Sequence, residues 1–399
     1  MGSLNFKLMT DKLLRHSTSL CVVDLWVNIL GAGMQVDAPL LPVEFLLEQK
    51  IITRLVDRIA PPAGPDGRAS ASLILEGLLQ NGYCSEFPDA PTAPLVEELK
   101  GADCTGNLVG FCTDESEATQ LHAMAVLSAL LEMLRDEPDG GGGFGGDDGD
   151  ADGADAAGTD GVGSELLAML AGQGEVFAAA LKKPPPFGSC VLTFGEVPET
   201  LGSKRLALIQ FLLVMLRSRS AAVVEMFVSS ALAAPIVSLF FALPFNNLLH
   251  NLLLSIVRTS VTEIEESGPL VKSILVEGGL CAQVVRAFEG YDLKQDDVFQ
   301  RAGYFGQLHL LAAELSESTA PCVVDAVAAL DEEVKAGWSA LSDDGGVLNR
   351  LRDVENQPIG GSRPGLVSTH AIRGCGRVLL FGSIFLRGSL VNAVAGLRE

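Results

Sequence analysis

The chain has 399 residues, of which 48% are hydrophobic but only 6% aromatic, and it carries a formal net charge of −22. Leu, Val and Ala supply most of the apolar side chains, a composition that favours packed helices over sheets. So acidic a chain repels phosphate backbones, which argues against nucleic acid as a partner and for basic protein surfaces. Its eight cysteines include no CxxC pair, which indicates a reducing compartment. We expect a cytoplasmic protein that can also enter the nucleus.

Apolar residues recur with helical spacing along most of the sequence. In chain order, the clearest 3.6-residue periods predict helices within residues 20–30, 45–59, 121–134 and 206–216. Proline and glycine clusters separate the periodic segments. Alternation typical of strands is nearly absent, and only Cys190–Phe194 has the character of a short extended segment. We predict at least about ten helices, and no sheet beyond a bridge of about two residues.

Many of the predicted helices are apolar on more than one face, so neighbours must cover them on both sides. A series of short helices of this kind predicts an all-α fold, and more specifically an α-solenoid of armadillo-like or HEAT-like helical pairs. Because no sequence repeat is evident, the solenoid is inferred from the density of helices alone. A compact helical bundle is the alternative.

Composition divides the chain into four segments. Residues 1–135 and 164–345 carry the helical periods and are predicted to be two parts of one repeat domain. Between them, residues 136–163 form a Gly/Asp/Ala-rich segment with nine acidic and no basic side chains. Such a segment buries too little apolar surface to offset its ordering entropy, so we expect a disordered insertion. Residues 346–399 are expected to be a poorly ordered tail.

Residues 228–257 contain no charged side chain and could be mistaken for a membrane-spanning segment. A spanning helix needs about 20 predominantly apolar residues in one stretch. Here two prolines and three asparagines interrupt the stretch: Pro235, Pro244, Asn246, Asn247 and Asn251. We therefore expect a buried helix–turn–helix and no membrane partner.

No arrangement of residues indicates catalysis. The five histidines include no HxH, HExxH or HxxxH pair, and no cysteine pair lies beside them, so no metal site is predicted. The sequence also has no GxSxG motif, and none of the GDxHG, GDxxDRG or GNHE motifs of metallophosphatases. We predict no catalytic residue, no metal and no cofactor, and hence a protein that is not an enzyme.

Four segments, taken in order, resemble the SAPS domain of the phosphatase-associated regulatory subunits. They are Phe45–Val56 (FLLEQKIITRLV), Pro184–Leu206 (ending in LGSKRL), Leu239–His250 (LFFALPFNNLLH) and Arg301–Leu308 (RAGYFGQL). The resemblance covers residues 4–340 and implies that the family's domain begins upstream of Met1. The acidic segment is an insertion relative to that family, and the sequence after Gly365 is unlike it.

This resemblance implies a regulatory or scaffold subunit that binds the catalytic subunit of a PP2A-like Ser/Thr protein phosphatase of the phosphatase 6 type. Such a subunit would modulate the choice of substrates, and further scaffold proteins are additional expected partners. The alternative hypothesis is a generic helical-repeat adaptor with an unrelated client, which would not share the ordered motifs. A third hypothesis, an enzyme with an unrecognised site, is weakened by the scarcity of histidines and paired carboxylates.

The polar residues of the motifs are the candidate partner contacts: Arg205, Asn246, Asn247, His250 and Arg301. For Arg205, a structural role and a partner contact are both open. The asparagine pair follows a proline and precedes a leucine run, a pattern that favours helix capping, because asparagine satisfies orphan backbone N–H groups. His250 would then fold back onto the same turn. For Arg301 the sequence does not separate the two roles.

Overall fold

A computed structural model describes eight stretches of the chain: residues 2–31, 43–82, 93–136, 162–186, 189–192, 195–197, 199–289 and 302–356. The chain divides into two compact units, Met1–Leu351 and Arg352–Glu399. The helix packing and the candidate site described below lie in the first unit. The predicted insertion lies outside the described residues except at its two ends, and so does the predicted tail beyond residue 356.

The described residues are predominantly helical, which confirms the predicted all-α class. The first half contains α1 Gly2–Arg15, α2 Leu20–Gly31, α3 Val43–Glu48, α4 Ile51–Asp57, α5 Pro65–Gly82, α6 Ala93–Lys100, α7 Ala102–Phe111, α8 Glu117–Asp136, α9 Val162–Ala171 and α10 Gly174–Lys182. The helix predicted within residues 45–59 is divided into α3 and α4, because Lys50 between them adopts a left-handed conformation with a φ of 48°.

The second half continues with helices of similar length. They are α11 Ser203–Arg217, α12 Ala221–Ser229, α13 Ala233–Ala242, α14 Asn247–Thr262, α15 Gly268–Lys272, α16 Leu280–Phe288, α17 Phe305–Glu317, α18 Pro321–Ala328, α19 Glu332–Ser342 and α20 Val347–Asn356. A π-helical turn, Ser273–Glu277, follows α15 directly. Helix α20 lies in the segment that was expected to be a poorly ordered tail.

A short hairpin interrupts the helices between α10 and α11. Strands β1 (Cys190–Leu192) and β2 (Gly195–Val197) pair antiparallel, with Val191 opposite Glu196. The pairing is one residue longer than the bridge that the sequence allowed. Strands of three residues are too short to show a recognisable alternation, so the sequence indicated only the first of them.

The helices pack mainly against the third helix along the chain. One series of such contacts runs through α2, α5, α8, α11, α14 and α17, and a second runs through α9, α12, α15 and α18. Buried leucines, isoleucines and valines from every part of the unit form one continuous core. Each central helix is therefore covered by the helix before it and the helix after it in its series, as its apolar faces require.

The uncharged segment 228–257 forms the predicted buried helix–turn–helix. Helices α13 and α14 pack against each other across a turn formed by residues 243–246. Within the described residues, no single helix has both the length and the apolar character needed to cross a bilayer. Two pairs of consecutive helices meet the length and hydropathy criteria only when their two members are taken together. One pair is α12 with α13, bent by 65°, and the other is the segment Gly268–Glu277 with α16, bent by 41°.

Candidate partner-binding site

Arg205 lies in the first turn of α11 and is only 3% exposed. Its guanidinium donates to the backbone oxygens of Leu201 at 2.7 Å and Thr200 at 2.5 Å, and to Oε1 of Glu199 at 2.9 Å. All three acceptors belong to the segment that leads into the helix. Arg205 therefore fixes the path by which the chain enters α11, and its side chain points inward.

Asn246 caps the N-terminus of α14. Its Oδ1 accepts a hydrogen bond of 3.0 Å from the backbone N–H of Leu249, which has no partner inside the helix. Asn247 is the first residue of the helix, and its side chain is exposed. The two neighbouring asparagines therefore differ in role, since one closes the turn and the other faces solvent.

The two asparagines provide a matched pair for mutation. Replacing Asn246 by alanine removes the cap and is expected to lower the free energy of unfolding by about 1 kcal/mol, within the usual range of ~0.5–2 kcal/mol. Asn247→Ala should change it by less than about 0.5 kcal/mol, as at other exposed sites. Urea unfolding of both variants provides the measurement. Equal losses at the two positions would contradict the assigned cap.

His250 ties the same turn together from inside the core. It is 0% exposed, and its Nε2 lies 3.0 Å from the backbone oxygen of Leu243, to which the nitrogen donates. Its backbone N–H donates to the backbone oxygen of Asn246 at 3.1 Å. Burial lowers the pKa of His250, although the nearby backbone oxygens of Leu243 and Phe240 oppose that shift. The imidazole is therefore held neutral.

Three aromatic side chains, Phe240, Phe241 and Tyr304, form a cluster with this histidine. Phe240 lies 4.7 Å from the His250 ring and 5.4 Å from the Tyr304 ring, measured between centroids. Phe241 contacts Tyr304 at 5.3 Å. The cluster brings together two of the four motifs, Leu239–His250 and Arg301–Leu308. Arg301 itself lies outside the described residues.

Gly303 brings the fourth motif close to the turn. A Cβ atom at this position would lie 2.7 Å from the backbone oxygen of Pro244 and 3.3 Å from a ring carbon of Phe245. Only a residue without a side chain allows the backbone before α17 to approach the turn so closely. The approach lets Tyr304 reach the aromatic cluster.

The buried histidine makes the stability of the fold depend on pH. In the unfolded chain, His250 takes up a proton near its ordinary pKa of about 6.5, whereas its folded-state pKa is lowered. Below pH ~6.5 the unfolded state therefore binds more protons, and stability falls as the pH drops towards the folded-state pKa. Above pH ~6.5 the stability that buried, neutral His250 contributes is fully present.

We expect His250→Gln, which keeps a donor but does not titrate, to lose less stability than the wild type between pH ~7 and pH ~5. His122 contributes a loss of the same sign in both proteins, because burial and Arg68 also lower its pKa. The difference between the two proteins therefore isolates His250. Urea unfolding at several pH values measures it, and parallel stability curves would contradict the prediction.

Two apolar side chains beside the cap are exposed, and the sequence analysis did not single them out. Phe245 in the turn is 52% exposed, and Leu248 in the first turn of α14 is 49% exposed. Asn247 and Asn251 are exposed beside them. The exposure of Leu248 could have been predicted from helical spacing, because residues 247, 248 and 251 share a helix face opposite the buried leucines.

Within the part of the chain that the structure describes, no group of three or more His, Cys, Asp or Glu side chains could hold a metal ion. The site around α14 offers hydrogen-bonding amides and apolar surface. These groups suit recognition of another protein surface.

Comparison with known proteins gives a consistent set of relatives. The chain is 24% identical to the chicken (Gallus gallus) serine/threonine-protein phosphatase 6 regulatory subunit 3, over 83% of this chain and 40% of that protein. It is 26% identical to human (Homo sapiens) regulatory subunit 1 of the same phosphatase, over 77% of this chain and 37% of that protein. The chain thus spans about two fifths of the length of these curated relatives.

The family model described as SIT4 phosphatase-associated protein, SAPS, matches residues 7–357. The match contains every described helix from α2 to α20 and all four motifs. The chain therefore belongs to the SAPS family of phosphatase-associated proteins.

Proposed function

We propose that this chain is a regulatory and scaffold subunit that binds the catalytic subunit of a Ser/Thr protein phosphatase of the phosphatase 6 type. The observation that carries the proposal is the SAPS match over residues 7–357, together with relatives named as regulatory subunits of that phosphatase. By binding, the chain would position the catalytic subunit and influence its choice of substrates. Further scaffold proteins are additional candidate partners.

We also propose that the helices form an armadillo-type α-solenoid. In support, each main series of contacts advances by three helices, as expected when a repeat contains three helices. A stack of repeats in which each unit contacts only its neighbours presents an extended surface, lined by the same helix of successive repeats. Helices α5, α8, α11, α14 and α17 would line that surface here.

The chain is proposed to have no catalytic activity of its own. The relatives are named as regulatory subunits, and a protein of that class supplies contacts while the chemistry belongs to its partner. Of the candidate contact residues, Asn247 is exposed, whereas Arg205 and His250 are buried and serve the turn and helix starts. Any effect of the two buried residues on binding would be transmitted through the fold.

Co-purification tests this proposal directly. The tagged chain, mixed with purified phosphatase 6 catalytic subunit, is expected to elute with it as one complex in size-exclusion chromatography. The chain alone should hydrolyse no phosphopeptide. A second experiment uses the tagged chain to capture partners from cell extract. If the extract yields an unrelated protein, and the phosphatase binds neither there nor in the purified mixture, the generic adaptor is favoured instead.

A further inference from the structure

We infer that the side chain of Arg58 and the start of α5 form a binding site for a phosphate group. The site goes beyond the proposed function, because it belongs to this chain alone and needs no phosphatase. A phosphate group can reach it in two forms, as a phosphorylated side chain of another protein or as free inorganic phosphate. Both forms present the same charged oxygens.

Arg58 follows α4 directly, and its guanidinium has no partner. Its Nε atom is shielded from solvent and makes no hydrogen bond within the described residues. The guanidinium also forms no ion pair with any residue that the structure describes, whereas Arg54, one turn earlier, pairs with Asp11. A buried donor without an acceptor is costly, and more so in a charged group. A ligand that supplies the acceptor would remove that cost.

The guanidinium lies against the first turn of α5, a helix of 18 residues. A Cβ atom at Gly67 would lie 3.3 Å from Nη2 of Arg58 and 3.8 Å from Cβ of Ala63, so the glycine lets the guanidinium approach the helix backbone. Among the described residues, the N–H of Gly67 has no backbone acceptor, whereas that of Arg68 donates to the backbone oxygen of Gly64 at 3.1 Å. The free donors of the helix start and of the arginine are therefore neighbours.

A guanidinium beside the start of a helix is unfavourable by itself. The aligned peptide dipoles leave about half a positive charge at the N-terminus of a helix, so Arg58 and the start of α5 repel each other. An anion that contacts both replaces this repulsion by two attractions, as in the phosphate sites found at helix N-termini. The arginine also presents its N–H groups in a planar fork that matches the oxygens of phosphate.

A second arginine holds the turn before α5 in place. Arg68 donates from Nε to the backbone oxygen of Ala63 at 2.8 Å and from Nη1 to Oγ of Ser116 at 2.8 Å. These bonds tie the turn to the start of α8 and add a second positive charge nearby. Gly64 and Pro65 in the turn are exposed, so a ligand can approach from solvent.

The donor arrangement favours phosphate over carboxylate. A phosphate group carries about −1.5 to −2 charges and three terminal oxygens, so it can contact the guanidinium fork and the helix start together. A carboxylate has one charge and two oxygens. Asp57 and Asp66 are close in sequence and exposed, yet neither forms an ion pair with Arg58.

Thermal melting of the full chain tests the site, in chloride, acetate and phosphate buffers of equal pH and ionic strength. The wild type is expected to melt roughly 1–3 °C higher in phosphate than in chloride, because a ligand that binds only the folded state stabilises it. Arg58→Met keeps the length of the side chain but removes its charge and donors, and should lose this rise. Arg286→Met on α16 is the matched control: Arg286 is exposed, and the rise should be unchanged.

Two further variants test the geometry. Arg58→Lys keeps the charge but not the planar fork, and should retain less than about half of the rise. Gly67→Ala pushes the guanidinium away from the helix start while favouring the helix itself. It should therefore lose the rise in phosphate without melting earlier in chloride. Melting in chloride also verifies that every variant folds.

Peptide titration identifies the source of the phosphate group. A labelled Gly/Ser peptide with one phosphoserine is titrated with the chain, beside the same peptide without phosphate. Binding that is about tenfold tighter for the phosphopeptide, and that Arg58→Met abolishes, would identify a phosphorylated side chain as the ligand. A rise of the melting temperature in phosphate without that preference would identify the free ion. Either result supports the site.

Three results would overturn the site: no rise for the wild type in phosphate, an equal rise for Arg58→Met, or an equal rise in acetate. The chain is tested alone, so any of them would leave the proposed binding to the phosphatase standing. Failure to co-purify with the phosphatase would in turn leave the phosphate site standing.

Discussion

Replacing Arg205 by alanine is expected to lower the free energy of unfolding by about 3 kcal/mol. The substitution removes the only side chain shown to bond the backbone oxygens of Thr200 and Leu201 within the described residues. A buried polar group left without its partner costs about 1–3 kcal/mol. The Glu199 pair adds less, because that carboxylate is 43% exposed and can turn to water.

A surface arginine of the same region serves as the control. Arg219 lies 3.8 Å from Glu263, and the two side chains are 64% and 38% exposed. Its replacement by alanine should cost less than about 1 kcal/mol, as exposed ion pairs do. The midpoint of urea unfolding measures both variants. If Arg205→Ala unfolds at the wild-type midpoint but no longer binds the phosphatase, Arg205 is a contact residue and its structural assignment is wrong.

The arginine also shows where sequence analysis reaches its limit. The position of Arg205 at the start of a helix could be predicted from the Leu201–Leu206 motif. Its partners could not, because two of the three acceptors are backbone oxygens, which any sequence supplies. For Asn246 the outcome was predictable, because a cap acts within its own turn and the preceding Pro244 marked the helix start.

The positions of the helices could likewise be predicted from the sequence, whereas the packing partners of each helix could not. The 3.6-residue period is a local property, and the predicted segments around α2, α8 and α11 are indeed helices. The packing of α11 against α8 and α14 depends on side-chain fit between segments that are far apart in sequence. Without a sequence repeat to mark equivalent positions, that arrangement required the structure.

The meeting of the third and fourth motifs is another long-range feature. In the sequence, Leu239–His250 and Arg301–Leu308 are two separate motifs that resemble the SAPS domain, and nothing in either motif indicates that they are in contact. The structure joins them through Tyr304, whose ring lies 5.8 Å from that of His250. Gly303 permits this junction, and the glycine is therefore the position at which a small change should have a large effect.

Gly303→Ala is expected to lower the free energy of unfolding by about 2–3 kcal/mol, the cost of forcing atoms into a closely packed contact. The added Cβ would lie 2.7 Å from the backbone oxygen of Pro244, and a backbone atom cannot move aside as a flexible side chain can. Relief requires the segment before α17 to shift away from the turn. Tyr304 would then leave the cluster around His250.

Gly306→Ala is the matched control, because it adds the same methyl group three residues later in the same motif. No atom lies within 4 Å of a Cβ at Gly306, and the residue belongs to the first turn of α17. Alanine there should stabilise the protein by up to ~1 kcal/mol, since glycine is the poorer helix former. Urea unfolding should therefore shift in opposite directions for the two variants. An unchanged midpoint for Gly303→Ala would show that the turn and α17 are not held together as closely as the structure places them.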